Sequence, residues 1–107
     1  MNIMTDAKSQ LTPEANLLAA HPTATGILTV DLDAIIANWR KLEKTAVPAE
    51  CAAVVKANAY GCGAEQVSRA LAKAGCKTFF VATLEEARKV RGAVPDAILY
   101  VLGGYFQ

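Results

Sequence analysis

The pattern that most constrains this chain sets in at residue 51, where short apolar runs, each closed by a loop, alternate with amphipathic helical segments. Ala52 to Val55 is a continuous apolar run too short for a helix, as expected of a strand buried on both faces. Gly61 and Gly63 break it. Ala64 to Ala74 then places Val67, Ala70, Leu71 and Ala74 on one side and Glu65, Gln66, Ser68, Arg69 and Lys73 elsewhere, with Gly75 positioned to end the helix. Thr78 to Ala82 reads as the second strand. Thr83 and Glu86 have capping-box spacing, which starts a helix running to about Arg91 with Leu84, Ala87 and Val90 on its apolar face. After Gly92 and Pro95, Ala97 to Leu102 reads as the third strand, cut off by Gly103 and Gly104. This β-α-β-α-β order predicts an α/β fold with a parallel sheet and right-handed crossovers.

A leading strand and helix precede it. Ile27 to Val30 is β-rich, and Asp31-Leu32-Asp33 offers a helix start before Leu32, Ile35, Ile36, Trp39 and Leu42, which form one apolar stripe. Trp39 lies on that stripe and is expected to pack in the core. Arg40, Lys41, Glu43 and Lys44 lie mostly off it, as a solvated face, and Val47-Pro48 ends the element. Residues 1–25 read as a loosely ordered leader with a short helical piece from Pro13 to Ala20, stopped at His21-Pro22, where the histidine is an exposed loop residue. The expected organisation is a leader over 1–25 and one domain over 26–107.

Composition narrows the function classes. A chain of 107 residues that is 53% hydrophobic is globular rather than disordered. Eleven Lys and Arg against ten Asp and Glu, with a pI near 7.7, argue against a nucleic-acid partner. No apolar run approaches the roughly 20 residues that span a bilayer, and the first 22 residues lack the apolar centre of a signal peptide, so no membrane partner is expected. Cys51, Cys62 and Cys76 have no metal-type spacing, and the single His21 lies far from them in sequence. Neither a metal site nor a disulfide framework is expected, and the cytoplasm is the expected compartment.

Lys56 carries the chemical signal. It follows Ala-Ala-Val-Val directly, which places an amine where a buried strand meets its loop. Buried amines of this kind form Schiff bases with carbonyl compounds, although a strand-end lysine can also simply extend to solvent. Asn58, Tyr60, Gly61 and Gly63 come within the next seven residues, and a phenol with exposed backbone N–H groups can hold a phosphate. In parallel α/β folds function gathers at the carboxyl ends of strands. Those ends here are residues 56–63, Thr83, and residues 103–105.

The run Ala53-Val54-Val55-Lys56-Ala57-Asn58-Ala59-Tyr60-Gly61-Cys62-Gly63 closely resembles the pyridoxal-phosphate attachment motif of alanine racemases. The resemblance extends from about Ile27 to Leu102, through Val30-Asp31-Leu32-Asp33-Ala34-Ile35 and Val81-Ala82-Thr83-Leu84-Glu85-Glu86-Ala87. It implies a fold-type III pyridoxal-phosphate enzyme, a TIM-type β/α barrel with a second, mostly β domain. It further implies that Lys56 attaches the cofactor and acts as one of two acid/base groups, that Tyr60 hydrogen-bonds the cofactor phosphate, and that Val54 and Leu102 line the cofactor. The opposite base in that family is a tyrosine from the partner subunit, in a region this chain does not contain. Neither Tyr100, read as packing in mid-strand, nor Tyr105 takes that role. Cys62 stands where many relatives carry histidine and reads as a tolerated substitution; Cys51 and Cys76 read as small packing residues.

The implied function is interconversion of L- and D-alanine by a cytoplasmic homodimer that supplies D-alanine for peptidoglycan precursors. Two other readings stay open: a broad-specificity racemase or fold-type III amino-acid decarboxylase, and a non-enzymatic pyridoxal-phosphate-binding or homeostasis protein. The Ala-Asn-Ala-Tyr-Gly run after Lys56 favours racemases, because the decarboxylases diverge after Lys-Ala-Asn. A complete eight-stranded barrel takes roughly 250 residues, so this chain is expected to form only its amino-terminal part, through the third barrel strand. Alone, it is expected to be inactive and poorly stable, because its parallel edges lack partners.

Overall fold

In the computed structural model, residues 26–105 are described. The expected helix from Pro13 to Ala20 and the loop position of His21 lie outside those residues. The β-rich run Ile27 to Val30 amounts to a single bridge residue, Thr29, rather than a strand. A run of high β propensity becomes a strand only where a neighbour pairs its backbone groups along its length.

The described residues from Leu32 onward group into one compact unit. It begins with α1 (Leu32–Ala46), followed by β1 (Ala53–Val54), a short helical turn α2 (Lys56–Tyr60), α3 (Ala64–Ala74), β2 (Thr78–Val81), α4 (Leu84–Ala93) and β3 (Ile98–Val101). The three strands form one parallel sheet in the order β1-β2-β3. Val54 pairs with Phe80, and Phe80 with Tyr100. The β-α-β-α-β order and the element types thus match the pattern of apolar runs. The ladder continues past the strand ends, with Val55 N–H donating to Phe80 O at 2.9 Å and Leu102 N–H to Val81 O at 2.8 Å.

One face of the sheet carries the core. Ala53, Val55, Phe79 and Val81 are buried there with Val67 and Leu71 of α3 and Val90 of α4. Trp39 of α1 closes over Gly75, where an added Cβ would lie 3.9 Å from the indole, and its Nε1 donates to Cys51 O at 3.0 Å. Past Trp39 the half-buried positions of α1 are Glu43 and Ala46, and Leu42, expected to continue the stripe, is exposed. Cys76 is buried among these residues, which pushes its thiol pKa up.

The helix ends are set by local chemistry. The Thr83 Oγ1 accepts from Glu86 N–H at 3.2 Å, and the Glu86 carboxylate accepts from Thr83 N–H at 3.3 Å, completing the expected capping box. Gly75 ends α3 at φ 117, a left-handed conformation that suits glycine. At the carboxyl end of α4, Arg91 Nη1 donates to the carbonyls of Val94, Pro95 and Ala97, which ties the helix to the start of β3.

The opposite sheet face is bare. Val54, Ile98, Tyr100 and Leu102 are exposed, and Phe80 is half-buried. Tyr100, expected to pack in mid-strand, stacks on Phe80 with ring centroids 5.1 Å apart and planes 19° off parallel, yet its other side faces outward. A sheet whose apolar residues alternate on both faces while helices cover only one is the arrangement of a barrel wall.

Candidate active site

The chain reverses its handedness directly after Lys56. Ala57, Asn58, Ala59 and Tyr60 have φ between 51 and 56, a left-handed turn of four consecutive residues, none of them glycine. For L-residues this conformation costs roughly 1–2 kcal/mol each, with Asn the most tolerant type present. Strain of this kind persists only where surrounding contacts over-determine it. Here they do. Gly61 N–H donates to Ala57 O at 3.1 Å, Cys62 N–H to Ala59 O at 3.1 Å, and Gly63 N–H to Asn58 O at 2.9 Å. Asn58 Oδ1 accepts from Ala64 N–H at 2.9 Å and so caps α3, whose own N-cap, Gly63, has no side chain to do it. Ala59 is buried and plugs the turn into the core.

The turn is fixed from outside as well. Glu86 Oε1 accepts from Ala57 N–H at 3.0 Å, and Oε2 accepts from Ala82 N–H at 2.7 Å. These bonds hold the Glu86 carboxyl below its ordinary pKa. The bond to Ala82 is the largest cause, the bonds to Ala57 and Thr83 add to it, and the positive charge of Lys56 contributes a little more. A cleft of about 680 Å³ opens beside this junction, lined by Ala57, Asn58, Ala64, Thr83 and Glu86 among others. Another, of about 540 Å³, lies at the opposite strand ends beside Lys73, Lys77, Asp96 and Ile98, away from the Lys56 motif.

The four candidate residues, Lys56, Tyr60, Val54 and Leu102, lie towards the carboxyl ends of β1 and β3, with β2 between them, and none of them lines the cleft beside Ala57. Lys56 is half-buried at the carboxyl end of β1. Tyr60 ends the left-handed turn and is 65% exposed. Val54 (46% exposed) precedes Lys56 by two residues on the bare face, and the period of two that turns Tyr100 outward brings Leu102 (56% exposed) to the same face at the end of β3. Gly103 comes next, at a close approach: an added Cβ would stand 2.7 Å from Ala82 O, the acceptor of its own N–H. Cys62 is half-buried against the core. The part played by Glu86 was only half visible in the sequence, where the capping box was plain but the reach to Ala57, 29 residues earlier, left no local trace.

An amine, a phenol and two apolar side chains around the carboxyl edge of a parallel sheet suit a planar, aldehyde-bearing, phosphorylated cofactor: the amine can attach it, the phenol can donate to its phosphate, and the apolar pair can flank its ring. Among the described residues no group of His, Cys, Asp or Glu could hold a metal ion, and no helix is long and apolar enough to cross a membrane.

Fold and site together define a segment of a parallel β/α domain with a strand-end lysine. Residues 30–107 match the family described as alanine racemase, N-terminal domain, and the chain belongs to that family. It is 59% identical over 78 residues to an alanine racemase of Methylobacterium nodulans, covering 73% of this chain and 21% of that protein. It is 53% identical over 83 residues to an alanine racemase of Rhodospirillum rubrum, covering 76% and 22%. The crystal structure of alanine racemase from Bartonella henselae with covalently bound pyridoxal phosphate superposes with a TM-score of 0.71 at 47% identity, over 73% of this chain and 23% of that one. The chain therefore spans about a fifth of the length of the relatives it matches.

Proposed function

We propose that this chain carries the cofactor-attachment corner of a pyridoxal-phosphate-dependent alanine racemase, which interconverts L- and D-alanine, and that residues 26–107 form the amino-terminal part of its barrel domain. The observation that carries this reading is the half-buried Lys56 at the end of β1, opening a strained left-handed turn inside a family domain. Strain held by many hydrogen bonds is a feature of functional loops rather than of plain connections.

Pyridoxal phosphate, when bound, supplies a ring that takes up the electron pair left by a departing α-proton. Lys56 Nζ would attach it and would hold or return a proton on one face of the substrate α-carbon. Tyr60 would donate its phenol O–H to the phosphate. Val54 and Leu102 would line the ring and exclude water from it. The second base, on the opposite face, comes from a partner subunit of a homodimer, and the enzyme works in the cytoplasm, where D-alanine enters peptidoglycan precursors.

The test uses the protein expressed from its complete reading frame, incubated with pyridoxal phosphate, reduced with borohydride and mapped by peptide mass spectrometry. The expected result is a pyridoxyl adduct on Lys56 that Lys56→Ala abolishes. Alanine should exchange its α-proton in deuterium oxide, and the same variant should stop that exchange. An adduct confined to other lysines overturns the assignment.

A further inference from the structure

A capping box asks little of its glutamate: one bond back to the N-cap N–H. In Glu86 that bond, to Thr83 N–H at 3.3 Å, is the longest of three that the carboxylate accepts. The shorter two go to Ala82 N–H at 2.7 Å, at the end of β2, and to Ala57 N–H at 3.0 Å, in the loop after β1. Ala57 N–H belongs to the peptide unit that Lys56 begins, and Ala57 is the first residue of the left-handed turn. The carboxylate thus clamps the peptide of Lys56 to the neighbouring strand end, with one oxygen on each side of the junction. Three converging N–H donors need an acceptor-only group. A glutamine would turn its NH₂ toward at least one of them.

We propose that Glu86 is the positioning residue of the attachment lysine: its carboxylate fixes the Lys56–Ala57 peptide against the end of β2, and so sets the direction in which the amine leaves the sheet edge. This rests on the reading of Lys56 as the cofactor-attaching residue. Glu86 itself makes no contact with the cofactor or substrate in this assignment. Its effect passes through the backbone, which is why a helix-capping role alone does not account for it.

The experiment compares Glu86→Gln with Thr83→Ala in the protein expressed from its complete reading frame. Thr83→Ala removes the side-chain cap on Glu86 N–H and weakens α4, but leaves the carboxylate to hold Ala57. Pyridoxal phosphate is added, samples are reduced with borohydride at successive times, and the adduct on Lys56 is quantified by peptide mass spectrometry, with circular dichroism confirming the fold. Glu86→Gln should slow labelling of Lys56 by about tenfold, the scale of one lost charge-assisted hydrogen bond, while Thr83→Ala labels at nearly the parent rate. Equal labelling of Lys56 in Glu86→Gln and the parent overturns the positioning role alone. No adduct on Lys56 in the parent overturns the attachment reading and this proposal with it. Should Glu86→Gln not fold, amide hydrogen exchange in the parent decides: a protected Ala57 amide supports the clamp, and one that exchanges like an open amide overturns it.

Discussion

Asn58 offers the sharpest test of how the strained turn is held, because two effects at that residue can be separated by choice of substitution. In Asn58→Ala the Ala64 N–H loses its 2.9 Å acceptor, and helix α3 loses a side-chain cap that its own N-cap Gly63 cannot replace. Loss of such a cap costs about 0.5–2 kcal/mol. Alanine must also hold φ 56, where it is less tolerant than asparagine by a further contribution on the order of 1 kcal/mol. Together these give about 1.5–3 kcal/mol of destabilisation. In Asn58→Gly the cap is lost too, but the left-handed conformation becomes free of steric cost, at the expense of about 0.4–1 kcal/mol of extra unfolded-chain entropy. The expected order of stability is Asn, then Gly, then Ala. Urea unfolding monitored by far-ultraviolet circular dichroism reads it directly, and at a slope of about 1–3 kcal/mol per molar the alanine variant should lose roughly 1 M in midpoint. An alanine variant more stable than the glycine variant would show that the turn is not strained, and an alanine variant as stable as the parent would refute the capping role as well.

Two further outcomes are expected on the same structural grounds. Ser68 is fully buried on α3 with no hydrogen-bond partner for its Oγ among the described residues, so Ser68→Ala should raise the unfolding free energy by about 1 kcal/mol, because it removes an unsatisfied hydroxyl and improves helix propensity; a loss of stability would reveal a partner for that hydroxyl. Glu86 has its folded pKa depressed, so the stability it contributes is full above the ordinary carboxylate value of about 4.3 and drains away as pH falls through the lower folded value. The stability gap between parent and Glu86→Gln should therefore be constant near neutrality and close on acidification, and a gap that widens toward acid would contradict the clamp.

The fold was legible where its causes are local. Gly75 ends α3 as its position implies, Thr83 and Glu86 cap α4 at the expected spacing, and the three apolar runs become the three strands in order. The misses share a different cause. Leu42 has an apolar period but falls off the face that Trp39, Glu43 and Ala46 turn inward, and Ile27 to Val30 has strand propensity without the extended ladder that makes a strand. For the site, the strand-end position of Lys56 was readable from the Ala-Ala-Val-Val run before it, and the phenol and glycines from Tyr60, Gly61 and Gly63 after it. The left-handed turn was not, because Ala57, Ala59 and Tyr60 are residue types that ordinarily avoid it.

What the sequence determined by itself is therefore the parallel α/β order, the helix caps and the lysine at a strand end, all set by side-chain periodicity and short-range hydrogen bonding. What only the tertiary structure decided is how that lysine is held. The Ala57 N–H finds the Glu86 carboxylate across 29 residues of chain, and Asn58 Oδ1 finds Ala64 N–H across the turn. A backbone donor takes whichever acceptor the packed chain brings within reach, and once these acceptors are in place the bonds they make stabilise a backbone conformation that no local preference selects.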